Sequence, residues 1–117
     1  YFIEKYHTKY KCWIITGTPT SEIELIVKER KLKKYFIGLH GSPNNKRYWT
    51  EYLIEKFNLN RNEIIFLGDA TTDMDAAEYS KTHFALREND ENRELFKEYK
   101  GHRFNDFYQF EKLIKNI

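Results

Sequence analysis

The stretch Glu63-Ile64-Ile65-Phe66-Leu67-Gly68-Asp69-Ala70-Thr71-Thr72-Asp73 brings two carboxylates, Asp69 and Asp73, to a single turn. Four apolar residues ahead of a glycine predict a strand buried on both faces, and the run behind it, Met74-Asp75-Ala76-Ala77, predicts a closely packed helix. Gly68 is expected to let the backbone turn sharply. Asp69 and Asp73 can then converge just past the carboxyl end of the strand, where they repel each other unless a cation lies between them. A hard divalent ion such as Mg²⁺ meets that need. The turn alone is equally well read as a helix start, with Asp73 favouring the N-terminus and Asp69 capping it. Two residues upstream add to the chemistry: Thr16 closes the apolar run Trp13-Ile14-Ile15, and Lys46 stands in the first turn of a predicted helix, where an ammonium opposes the dipole unless it serves an anion. A hydroxyl, an ammonium and a carboxylate-held metal are what a phosphoryl group requires, because its charge is spread over several oxygens.

The elements that must position these residues alternate along the chain. Ile3, Tyr6 and Tyr10 have helical spacing; Lys11–Thr16 reads as a strand; Gly17-Thr18-Pro19 reads as a turn that launches a helix. Pro19 suits the first helical position, Thr18 or Ser21 can cap it, Ser21 and Glu24 fit a capping box, and Ile23, Ile26 and Val27 supply the apolar face. Tyr35–His40 predicts a second strand, 41–45 a loop, and Trp49, Tyr52, Leu53 and Phe57 the buried face of the helix begun by Lys46. After the strand ending at Leu67 come a helix over Asp73–Ser80, a strand over Thr82–Arg87, a helix over Glu91–Lys100 and a closing helix with Phe107, Phe110, Ile114 and Ile117 on its apolar side. This alternation predicts an α/β fold: an open, parallel, Rossmann-like sheet with helices on both faces and ligands at the carboxyl ends of its strands.

A chain of 117 residues makes one domain spanning 1–117. Twenty basic against 18 acidic residues leave a charge of +2, which gives no reason to expect a nucleic acid partner. The basic run Lys28–Lys34 reads as the solvated end of a helix, and the aromatic residues (17%) fall at packing positions, not on a base-stacking platform. No run is long enough for a membrane span and no signal peptide is visible; the lone Cys12 excludes an internal disulfide and agrees with a reducing, cytoplasmic setting. None of the four histidines has metal-ligand spacing, and no phosphate-binding GxxxxGK[ST] loop exists.

With these residues in order, the sequence resembles the haloacid dehalogenase superfamily, nearest to its capped, phosphoglycolate-phosphatase-like members. Trp13-Ile14-Ile15-Thr16 matches the family's second motif, Lys46 its third, and Gly68-Asp69-Ala70-Thr71-Thr72-Asp73 its fourth, over residues 11 to 87. The resemblance implies that Thr16 donates to a phosphoryl oxygen, that Lys46 neutralises the transferring group, that Asp69 binds Mg²⁺, and that Asp73 holds the metal or its water and orients Lys46. It also implies a small phosphorylated substrate. The family's first motif, an Asp-x-Asp that carries the nucleophile and the acid/base, has no counterpart: Asp73-Met74-Asp75 lies inside the fourth motif. Since that motif and the cap precede the second motif in the family, and the first residue is Tyr1, the chain reads as the later part of a phosphatase, inactive by itself. The family's nucleophile strand lies between those ending at Leu67 and Thr16. Either it lies outside this sequence, or these two strands close up, or a second chain fills the gap by self-association. The competing reading is a non-catalytic domain that keeps the fold for binding or assembly.

Overall fold

Apolar runs separated by helical repeats build a parallel α/β chain in the computed structural model, which describes residues 2–115. The elements are Phe2–Tyr6 (α1), Trp13–Pro19 (β1), Thr20–Glu29 (α2), Gly38–Ser42 (β2), Lys46–Phe57 (α3), Ile65–Gly68 (β3), Thr71–Ser80 (α4), His83–Arg87 (β4), His102–Phe104 (β5) and Phe107–Lys115 (α5). Every strand pairing is parallel.

The strands form two sheets, β1–β2 and β3–β4–β5, and no hydrogen-bonded ladder joins β1 to β3 among the described residues. Direct closure of the Thr16 and Leu67 strands is therefore not the arrangement adopted. The single sheet expected from the alternation is interrupted at that point. The interruption also explains the burial. β3, expected to be buried on both faces, is half-exposed along its length because only β4 flanks it, whereas Phe84, Ala85 and Leu86 of β4, between two neighbours, are buried.

Side-chain alternation along β4 divides the core in two. Phe84 and Leu86 face Ala77 and Met74 of α4, together with Phe66, Phe96 and Tyr99. Ala85 faces the other way, with Ile65, Leu67 and Phe104, toward Phe110, Leu113 and Ile114 of α5 and Phe2 of α1. Helices thus cover both faces of this sheet. In the other sheet α2 packs against β1 and β2. α3 lays its aromatic side across both strands, with Phe57 on Trp13 and Trp49 on His40 at ring-centroid distances of 5.3 and 4.4 Å.

Several local expectations are corrected. Gly17-Thr18-Pro19 continues β1 through an irregular register instead of turning, so Pro19 is the residue before α2 and no side chain caps that helix. β2 begins at Gly38 and not at Tyr35, because Lys33–Tyr35 forms a 3-10 turn in which Phe36 N–H returns to the Lys33 carbonyl. Glu91–Lys100 forms successive turns and not a helix, and the short strand β5 was not foreseen. The Ile117 position of the closing helix lies outside the described residues.

Candidate functional site

The β3–α4 turn is held by its own carboxylate. Asp73 stands in the first turn of α4, and its Oδ2 accepts from the backbone N–H groups of Asp69 (3.2 Å) and Ala70 (3.1 Å), which would otherwise be unpaired donors at the helix start. A Cβ at Gly68 would fall within the Asp73 carboxylate, and φ at Gly68 is not positive. The glycine is therefore required for room: the chain bends directly after it, and the side chain of Asp73 occupies the space that a Cβ would take. Asp73 is buried, while the Asp69 side chain is exposed and makes no hydrogen bond among the described residues.

Lys46 reaches this turn from the neighbouring helix. Asn45 caps α3, its side chain accepting from Tyr48 N–H at 2.8 Å, and this sets where the helix starts. Lys46 Nζ then donates to Asp73 Oδ1 at 2.7 Å and to Thr72 Oγ1 at 2.9 Å. The side chains of the pair are only 17% and 9% exposed, so the interaction is far less screened than a surface ion pair. One residue on, Arg47 donates Nε and Nη2 to the two oxygens of Asp75 at 2.6 and 2.5 Å and stacks over the Tyr79 ring. That hydrogen bond from Arg47 holds the Asp75 carboxyl below the ordinary carboxylate range. Sequence reasoning missed this second contact and the part of Thr72. The signal available was spacing: adjacent cations at 46 and 47 facing carboxylates at 73 and 75.

Thr16 is placed differently. It lies half-buried within β1, and its Oγ1 accepts from Thr18 N–H at 3.2 Å, a local bond in the stretch where the register of the strand is irregular. Among the described residues it makes no hydrogen bond to Lys46, Asp69 or Asp73. The structure thus joins Lys46 to Asp73 directly, ties Asp69 to Asp73 through the backbone, and leaves Thr16 on the other sheet.

A further residue at the turn carries no motif. Asn92 is 6% exposed, and its Nδ2 donates to the carbonyls of Asp69 and Arg87, both at 2.9 Å. Its own backbone N–H goes to Asn89 Oδ1, and its Oδ1 accepts from Asn89 N–H.

The donor set at the turn fits magnesium held by few protein ligands. Asp69 offers an unengaged hard oxygen donor; Asp73 has both oxygens in hydrogen bonds but keeps lone pairs; no group of three or more metal-ligating side chains exists among the described residues. One or two carboxylates completed by water and substrate oxygens is the usual manner of holding Mg²⁺, and Asp69 with Asp73 can serve it.

Comparison with curated proteins gives no match. Among solved structures the fold is shared with a protein from Lactobacillus delbrueckii subsp. bulgaricus provisionally assigned as a phosphoglycolate phosphatase (15% identity, TM-score 0.81, covering 97% of this chain and 50% of that one). It is also shared with a HAD-superfamily hydrolase from Ehrlichia chaffeensis (15%, 0.80, 98% and 55%). The core domain of a protein from Streptococcus pneumoniae, likewise provisionally assigned as a phosphoglycolate phosphatase, is matched over 83% of its length (18%, 0.75, 98% of this chain). The chain spans about half the length of the first two. The family of haloacid dehalogenase-like hydrolases matches residues 1–87, a stretch that runs from α1 to the end of β4 and carries the turn, the lysine and the threonine. The chain belongs to the haloacid dehalogenase-like hydrolases.

Proposed function

We propose that this chain is the phosphate- and metal-holding part of a magnesium-dependent phosphatase acting on a small phosphate ester. The observation that carries the reading is the Lys46 Nζ to Asp73 Oδ1 contact of 2.7 Å beside the unengaged carboxylate of Asp69 at the carboxyl end of β3. Asp73 aims the ammonium of Lys46, which offsets charge on the transferring group; Asp69 holds the metal; Thr16 donates its hydroxyl to a phosphoryl oxygen. Bound Mg²⁺ supplies charge neutralisation at the phosphoryl oxygens. In the complete protein an aspartate would attack phosphorus as the P–O bond to the ester's alcohol breaks and the alcohol leaves with a proton, giving an aspartyl-phosphate that water then hydrolyses to aspartate and inorganic phosphate. That aspartate is not one of the residues placed here. Asp69 and Asp73 are assigned to the metal and to Lys46, and Asp75 is engaged by Arg47.

The test is hydrolysis of 4-nitrophenyl phosphate by the 117-residue chain and by a longer polypeptide that begins with a strand ending in Asp-x-Asp. The short chain is expected to give no turnover. The longer one should give Mg²⁺-dependent turnover that falls by at least about a hundredfold with Asp69→Asn, as loss of a metal carboxylate or an electrostatic partner commonly does. Mg²⁺-dependent turnover by the short chain would place the nucleophile within these residues and end the assignment. A longer polypeptide that is folded yet inert with every ester and metal tried would favour a domain that keeps the fold for binding or assembly.

A further inference from the structure

We propose that Asn92 is a positioning residue of this site: it clamps the Asp69–Ala70 peptide group and, through it, the Asp73 carboxylate that aims Lys46. The chain of contacts runs through one planar unit. The Asp69 carbonyl and the Ala70 N–H belong to the same peptide bond and cannot rotate independently. The carbonyl accepts from Asn92 Nδ2 at 2.9 Å, and the N–H donates to Asp73 Oδ2 at 3.1 Å. Asn92 thus fixes the plane from which the Asp69 side chain leaves and sets one of the three bonds that orient the Asp73 carboxylate. The other two come from the Asp69 N–H to the same Oδ2 and from Lys46 Nζ to Oδ1.

Asparagine suits this position for reasons of donor count. Its amide offers two N–H groups and one carbonyl, and here all three are used: Asp69 O, Arg87 O and Asn89 N–H. Arg87 closes β4, so the amide ties the turn after β3 to the end of the neighbouring strand. The side chain is buried, and leucine-like packing would fill the space but leave two carbonyls unpaired. An aspartate of the same shape would set its negative oxygens against both. The consequence for metal and phosphate rests on the phosphatase reading; the clamp itself does not.

The amides of Asp69 and Ala70 report the clamp directly by hydrogen exchange in the 117-residue chain. Asn92→Asp keeps the shape, removes both donors at neutral pH and regains one when its carboxyl is protonated. We expect Ala70 N–H to exchange roughly tenfold faster than wild type at neutral pH, the loss of about one net hydrogen bond. Relative to wild type, most of that difference should vanish in acid. Ile37 N–H, bonded to the Cys12 carbonyl just ahead of the β1–β2 sheet, should be unchanged throughout. Acceleration that is the same at both pH values, or none, would reduce Asn92 to a space-filling residue and overturn the proposal. Should the variant not fold, wild type decides: both Asn92 side-chain amide protons are expected to exchange slowly, and solvent-like exchange overturns the clamp. A magnesium titration on the same samples separates the two claims. Shifts at Asp69 that wild type shows and Asn92→Asp weakens support the clamp as a positioning device; an unmoved wild type counts against the metal reading alone, the exchange ratio still deciding the clamp.

Discussion

Asp73 joins two functions that substitution can separate. Its Oδ2 caps the turn through the N–H groups of Asp69 and Ala70, and its Oδ1 holds the Lys46 ammonium. Asp73→Asn keeps an amide oxygen for the turn and loses the charge opposite Lys46, so it should cost about 2 kcal/mol, the scale of a charge-assisted bond lost in a partly buried place. Asp73→Ala loses the cap as well and should cost about 1 kcal/mol more. Urea denaturation of both variants measures the difference, and equal losses would mean that the cap contributes nothing. At this scale the sequence was legible wherever the signal is a side-chain type at a fixed offset: Gly68, Asp69 and Asp73 share one turn, and Lys46 meets it. Asn92 was not legible, because its partners are backbone carbonyls 23 and 5 residues away and any residue type presents a carbonyl. Thr16 was legible as a strand hydroxyl, but the strand runs on to Pro19, and the one hydrogen bond of its side chain among the described residues is to Thr18 N–H.

Elements were legible where an apolar run or a helical repeat was long. α3, α4, β3 and β4 fall within a few residues of their expected spans. The segment over Glu91–Lys100 failed because Leu95, Phe96 and Tyr99 have helical spacing while the backbone takes another solution. Arg103 of β5 donates Nη2 to the Phe96 and Tyr99 carbonyls at 2.6 and 2.5 Å, and so draws these turns onto the strand. β5 itself has three residues and a single buried apolar side chain, too little for periodicity to register. The same arginine donates Nη1 to Glu88 Oε2 at 2.6 Å, and with Arg93 it holds the Glu88 carboxyl below the ordinary carboxylate range. The sign follows from the depressed value. The unfolded chain takes up the proton first as pH falls, so the stabilisation is complete above the ordinary glutamate value and is lost as pH drops through the folded one. Glu88→Gln should therefore lower the urea midpoint at pH 7 and lower it progressively less as pH falls below the ordinary glutamate range and through the depressed folded value. An equal loss at every pH would mean that the Arg103–Glu88 contact contributes through shape and not charge.

At the scale of the whole molecule no strand pairing joins the two sheets among the described residues, and α3 and α4 bridge them. α3, packed on β1, joins α4, packed on β3 and β4, by polar pairs: Lys46 to Asp73, Arg47 to Asp75, and Arg61 to both Glu51 and the Ser80 carbonyl. Between the sheets, β1 and β3 each present an edge whose alternate N–H and C=O groups find no strand among the described residues, and an unpaired edge is a template for another strand. The two edges are not equivalent. β3 has four residues and ends at once in Gly68 and Asp69, whereas β1 has seven and opens on Trp13-Ile14-Ile15-Thr16, an uncharged run of strongly strand-forming residues. Short or charged edges resist pairing; long apolar ones do not. β1 should accordingly be the site of self-association. Its outward amides should then exchange more slowly as protein concentration rises, in step with an increase in sedimentation coefficient, while the amides of β4, already paired on both sides, show no such dependence. Covalent addition of a further strand ahead of α1 that occupies the gap should slow the same β1 amides at every concentration and abolish the concentration effect. Exchange at β1 that is fast and independent of concentration, with a chain that sediments as a monomer throughout, would show that the edge is protected by solvation alone and that the gap exerts no pull on a partner strand.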